Sequence, residues 1–260
     1  AGQGIEIRIY KGELNIQNSA TTPASLEGDV AFAQGFIALA GTSDVAFNGV
    51  WSKLSIGENV TVKNSATTAK NISGESKTLG SGLAIVVDKC GDNAISSPQK
   101  VSGYGSYNVS QAYGVVVEIA GHVYGNKYGI KMNGSAKGTD GKIPYFHLKP
   151  NSKVECQAEN DVWYQASSTQ IRQPNAIYAS GYGEWLIEGT VTGNNGVYIK
   201  MGKVIINNAT IHATGEYQPV SGSEKLSGSS ASGNAITIES NQYMYNGTSE
   251  LTVKGESTIK

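Results

Sequence analysis

The 260-residue sequence predicts an all-β solenoid with irregular loop insertions, and three observations carry that prediction. First, two similar segments follow each other almost without interruption. One reads Asn175-Ala-Ile-Tyr-Ala-Ser-Gly and then Glu184-Trp-Leu-Ile-Glu-Gly-Thr-Val-Thr; the other reads Asn195-Gly-Val-Tyr-Ile-Lys-Met and then Lys203-Val-Ile-Ile-Asn-Asn-Ala-Thr-Ile-His. A spacing of about 20 residues lies in the range of stacked structural repeats. Second, the alternation within each segment has period 2 and favours Val, Ile, Thr, Tyr and Trp, which is the signature of strands. Third, 33 glycines with only 6 prolines suit many tight turns rather than collagen or disorder.

Taken in order, residues 1–65 read as irregular N-terminal coils or a cap, and 66–260 as regular coils with inserted loops, all in one domain. Ile5-Glu-Ile-Arg-Ile and Leu14-Asn-Ile open the chain, and Phe36-Ile-Ala-Leu-Ala is apolar at successive positions and so should be covered on both sides. Segments 66–81 and 97–112 read as loops, 134–142 as an insertion, and 221–233 as a Ser/Gly-rich one. A first-strand phrase recurs at Leu83-Ala-Ile-Val-Val, Tyr113-Gly-Val-Val-Val, Tyr128-Gly-Ile-Lys-Met, Asn160-Asp-Val-Trp-Tyr and Asn234-Ala-Ile-Thr-Ile. A second-strand phrase recurs at Leu54-Ser-Ile-Gly-Glu-Asn-Val-Thr-Val, Phe146-His-Leu-Lys-Pro-Asn-Ser-Lys-Val and Leu251-Thr-Val-Lys-Gly-Glu-Ser-Thr-Ile.

Stacking equivalent phrases at the ~4.8 Å spacing of a parallel ladder predicts an inward aliphatic series of Val115, Ile130, Val162, Ile177, Val197 and Ile236. Asn160, Asn175, Asn195 and Asn234 precede those strands and are positioned to form an asparagine ladder, each amide carrying donors and an acceptor. Side chains alternate across a strand, so the next residue of each coil points outward. That rule predicts an aromatic row of Trp163, Tyr178 and Tyr198, with Lys131 before it and Gln165, Lys200 and Glu239 on a polar margin. Such a strip suits the apolar face and hydroxyls of a sugar chain.

These phrases resemble the right-handed parallel β-helix, or pectin-lyase-like, family, and more narrowly its non-catalytic surface proteins in gut Bacteroidetes and Firmicutes. Gly233-Asn-Ala-Ile-Thr-Ile-Glu-Ser and Glu250-Leu-Thr-Val-Lys-Gly-Glu-Ser-Thr-Ile carry the likeness, which covers residues 80–260 best. It implies a secreted or cell-surface protein that binds a polysaccharide or cell-surface glycan, or acts as an adhesin. Two other readings are a polysaccharide lyase or hydrolase acting on acidic glycans, and a structural stalk or fibre segment.

The enzymes of that family use acidic clusters with a nearby basic residue or paired aspartates. This chain has Asp88 and Asp92 as its sole local aspartate pair, and its arginines, Arg8 and Arg172, sit in no motif of that kind. No catalytic residue and no cofactor is assigned. Asp88 and Asp92 form the one weak candidate for a metal, calcium by ligand chemistry, against an ordinary Asp/Asn turn. His122, His147 and His212 stand apart beside strands. The net charge of −1 gives no electrostatic footprint for nucleic acid, and no apolar run reaches the ~20 residues of a membrane span. Cys156 alternates in phase with Val154 and reads as a buried thiol, leaving its pairing with Cys90 open.

Overall fold

The computed structural model describes residues 7–9, 12–18, 21–28, 37–40, 52–65, 83–88, 99–101, 105–107, 115–133, 144–156, 162–165, 168–171, 174–215, 233–238 and 249–260. No helix occurs among them. The strands form long parallel sheets that do not close into a barrel, an arrangement consistent with a β-solenoid.

Three parallel ladders organise the molecule. The first contains β1 (Ile7–Ile9), β4 (Ile37–Ala40), β7 (Leu83–Asp88), β12 (Tyr128–Asn133), the opening halves of β17 (Asn175–Ile187) and β19 (Asn195–Asn207), and β21 (Ile236–Ile238). The second contains β2 (Gly12–Ile16), β5 (Ser52–Ile56), β10 (Val115–Ile119), β13 (Tyr145–Leu148), the closing halves of β17 and β19, and β22 (Glu250–Lys254). The third contains β3 (Ala24–Gly28), β6 (Val60–Asn64), β11 (His122–Gly125), β14 (Lys153–Cys156), β18 (Thr190–Gly193), β20 (Thr210–Ala213) and β23 (Thr258–Ile259). The chain visits the ladders in the order first, second, third, and repeats that circuit coil by coil.

The interior follows from the alternation. Ile37, Ile85, Ile130, Ile177 and Val197 line the first ladder, Leu54, Val117, Phe146, Trp185 and Val204 the second, and Val62, Val123, Val154, Val191 and Ile211 the third, all buried. Phe146 and Trp185 stack face to face on successive coils, with ring centroids 3.8 Å apart. Cys156 is buried in step with Val154, as its phase predicts, with its Sγ 3.7 Å from the Asn126 carbonyl oxygen.

Two strands of the expected inward series lie elsewhere. Val115 belongs to the second ladder, in register with Ser52, and its neighbour Val117 stacks on Leu54 and Phe146. Val162 sits in β15 (Val162–Gln165), which pairs antiparallel with β16 (Ser168–Ile171) as an inserted hairpin. Both segments mimic the first-strand phrase because a period of 2 fixes which residues alternate, not which partner the strand takes. A second hairpin, β8 (Gln99–Val101) with β9 (Gly105–Tyr107), occurs where the sequence reads as loop.

The asparagine ladder holds in part. Asn175 and Asn195 are register partners and both are buried, and Asn195 Oδ1 accepts the backbone N–H of Asn234 at 2.9 Å. Asn160 lies outside the described residues.

Candidate functional site

The three corners of the coil are unequal. Between the second and third ladders the chain turns through short links such as 57–59, 120–121, 188–189 and 208–209. Asn59, Asn151 and Asn208 occupy positive φ in that row of turns, a conformation asparagine tolerates better than other side chains. The long connections leave from the other two corners. Segments 41–51, 89–114, 134–144 and 239–249 run from the first ladder to the second, and 29–36, 65–82, 157–174 and 214–235 run from the third to the first. The first ladder is therefore bordered on both sides by insertions.

On the outer side of that ladder, Lys131, Tyr178, Tyr198 and Thr237 stand in register on successive coils. Tyr178 and Tyr198 stack, with centroids 5.0 Å apart and planes within 4°. Tyr128 joins them, its ring 5.5 Å from that of Tyr178 and tilted by 42°. Lys131 Nζ lies 5.6 Å and Lys127 Nζ 5.9 Å from the Tyr128 centroid, within reach of the ring quadrupole. Val86 packs against this aromatic group.

Here the structure departs from the expected strip in two ways. Trp163 and Gln165 are not in the row: they lie on the β15 hairpin, where Trp163 pairs with Gln170 and Gln165 with Ser168. The ring that replaces Trp163 in the cluster is Tyr128, two coils before Tyr198. The row is also not an open platform. Tyr198 is 2% exposed and Tyr128 5%, whereas Tyr178, Lys131 and Lys200 are half-buried. Tyr198 thus serves as backing for Tyr178, which presents the more accessible ring.

Tyr128 was hidden in the sequence because Tyr128-Gly resembles Tyr113-Gly, and both read as strand openers. No residue of the phrase separates the two, because both tyrosines are followed by glycine. The structure adds that Gly129 sits at a tight corner, where a Cβ would meet Val154 Cγ1 at 2.6 Å.

Glu239 and Asp92 fall outside the described residues, and Asp88 ends β7 in register with Asn133 and Ala40. Among the described residues no group of three or more His, Cys, Asp or Glu side chains gathers to hold a metal. The paired histidines sit away from the first ladder. His147 Nε2 lies 2.8 Å from Glu188 Oε2 on the outer side of the second ladder, and His122 Nε2 lies 2.6 Å from Glu155 Oε2 on that of the third.

Those outer sides are built differently. On the second, Lys53 pairs with Glu118 at 3.2 Å, and Glu188 also accepts Asn207 Nδ2 at 2.7 Å. The His147 and Asn207 hydrogen bonds hold the Glu188 carboxyl below the usual carboxylate range, against the opposing effect of burial. Burial, then Glu118, Glu188 and Glu184, pushes the Tyr145 hydroxyl up. On the third, Lys153 meets Glu155 at 2.5 Å and Lys63 lies 5.2 Å from the Tyr124 ring centroid.

No family model, curated protein or solved structure matches the chain. Among the described residues no helix is long and apolar enough to cross a membrane.

Proposed function

We propose that the coils form a right-handed parallel β-helix of the pectin-lyase-like kind, carried at a bacterial cell surface or secreted, whose first face binds a polysaccharide or cell-surface glycan without cleaving it. The observation that carries this reading is the placement of the long insertions on both borders of one ladder. In stacked-repeat proteins such insertions gather on the binding face, and loops held by a rigid scaffold carry function. The same face holds the Tyr128–Tyr178–Tyr198 group and Lys131. Tyr178, stacked on Tyr198 and flanked by Tyr128, offers the half-exposed part of its ring and its hydroxyl to a sugar. Lys131 and Lys200 supply donors for hydroxyls or carboxylates along the chain.

A glycan array tests it. The wild-type protein binds a defined class of polysaccharide, and the Lys131→Ala, Tyr178→Ala, Lys200→Ala triple variant loses binding by about tenfold or more with the melting temperature nearly unchanged. Absence of binding to any glycan, or full binding by the triple variant, sinks this site. Incubation with acidic glycans leaves ultraviolet absorbance and reducing ends constant; a rise in either identifies a lyase or hydrolase instead.

A further inference from the structure

The last coil presents a strand that is complementary to itself when reversed. Among the described residues the exposed large hydrophobic side chains are Leu251, Val253 and Ile259, all on β22 and β23. Among those residues β22, which reads Glu250-Leu-Thr-Val-Lys254, pairs with β19 alone, and all five of its residues are exposed. Its register sets Leu251 and Val253 on the core side, beside the buried Val204 and Ile206, and Glu250, Thr252 and Lys254 on the outer side. The Lys254 carbonyl accepts the Asn208 N–H at 3.3 Å, so its backbone groups face β19. By alternation, the N–H and C=O groups of Leu251 and Val253 point to the opposite edge. The turn that follows holds the strand in place. Asn208 Oδ1 accepts the Glu256 N–H at 2.9 Å, and Ser257 Oγ donates to the Lys254 carbonyl at 2.8 Å.

Consider a second copy laid antiparallel against that edge, related by a two-fold axis through Thr252. Glu250 then faces the partner's Lys254, Leu251 the partner's Val253, and Thr252 the partner's Thr252. Leu251 and the partner's Val253 exchange both backbone hydrogen bonds, using the groups that already point that way. Opposite charges and Thr–Thr pairs directly across an antiparallel pair are each favourable. Other arrangements lose these matches. An axis through Val253 brings Glu250 toward the partner's Glu256, and one through Leu251 separates Glu250 from the partner's Lys254. Continuing the stack in parallel onto the first coil of a second copy sets Glu250 beside Glu13, since the two share one column. Like charges across an interface cost specificity and affinity. At the other end of the stack, β2 reversed about Leu14 sets Glu13 against Asn15 and yields no charge pair.

We propose that the edge of β22 turned away from β19 docks a second copy of this chain, in antiparallel, isologous contact. It is distinct from the glycan face and does not depend on it. The pairing joins two backbone edges, covers Leu251 and Val253 on the core side and sets one charge pair at each end of the strand. A single strand edge is a small patch beside the ~800 Å² per partner of a standard interface, so the dimer is weak and reversible.

Sedimentation equilibrium of the whole chain provides the test. At ~0.01 M ionic strength, where the Debye length is ~30 Å, wild-type protein forms a closed dimer reversibly. Lys254→Glu leaves two carboxylates in each charge pair, and Glu250→Lys leaves two ammonium groups. Each variant alone associates at least ~10-fold more weakly than wild type, and an equimolar mixture of the two restores both pairs and forms heterodimers. Circular dichroism of each variant confirms its strand content. In an independent arm, the two-fold axis sets the Thr252 Cα atoms of the two copies ~4.5 Å apart, within disulfide reach. Thr252→Cys protein therefore links into a dimer faster than Glu250→Cys protein, whose new thiol faces residue 254 of the partner. A monomeric wild type at low salt, open-ended oligomers in place of a dimer, charge-reversed variants that associate like wild type, or a mixture that stays monomeric each overturns the proposal.

Discussion

Glu188 shows how one side chain ties coils together from outside. It accepts His147 of the coil before and Asn207 of the coil after, so three successive turns share one carboxylate. Its folded pKa lies below its ordinary value, chiefly through those two hydrogen bonds. A carboxyl shifted down stabilises the fold above the unfolded pKa, and that contribution disappears as the pH falls through the folded pKa. Glu188→Gln should therefore lower the melting temperature near neutral pH, and the gap from wild type should close as the pH drops through the carboxylate range. A gap that is constant down to the acid limit would assign the effect to shape rather than charge. Neither partner could be read from the sequence. His147 looks isolated there because its acceptor lies 41 positions away and meets it only once β13 pairs with β17.

At the scale of elements, β17 and β19 are the strands that most resemble each other in sequence, and among the described residues they are also the only two that pass from the first ladder to the second without leaving the sheet. Glycine makes that passage. Gly183 and Gly202 are register partners at the corner, and Gly202 has φ of +136°, a region L side chains rarely enter. A Cβ on Gly202 would meet the Gly183 carbonyl oxygen at 2.0 Å. Gly202→Ala should cost roughly 1–3 kcal/mol of backbone strain, and so lower the melting temperature by several degrees, while Lys203→Ala beside it changes little. What was legible here was the phrase itself: Leu83, Tyr128, Asn175 and Asn195 open strands that do share one ladder. What was not legible was the partner of each look-alike. Asn160-Asp-Val-Trp-Tyr has the alternation of a coil strand, but Thr169 and Ile171 follow closely enough to pair with it locally, and the antiparallel hairpin took the segment out of the stack. The aromatic site changed membership for that reason, exchanging Trp163 for Tyr128.

At the scale of the molecule, each coil touches only its neighbours, so stability is a sum of coil terms and interfaces between coils. Position along the stack should then decide the effect of one and the same substitution. Ile177 is fully buried, with Ile130 on one side and Val197 on the other. Leu251, in the last coil, has Val204 on one side and is 46% exposed, with Val253 at 47% and Ile259 at 41%. Truncating a buried aliphatic side chain removes its transfer free energy and leaves a cavity, together ~2–5 kcal/mol, whereas a half-exposed one loses a fraction of the first term alone. Ile177→Ala should therefore depress the urea midpoint severely, and Leu251→Ala by under ~1 kcal/mol. Ile177→Asp, which places an unpaired charge between Ile130 and Val197, should prevent folding outright. Equal losses for Ile177→Ala and Leu251→Ala would mean that the last coil is as cooperative as the middle, which nearest-neighbour stacking does not allow.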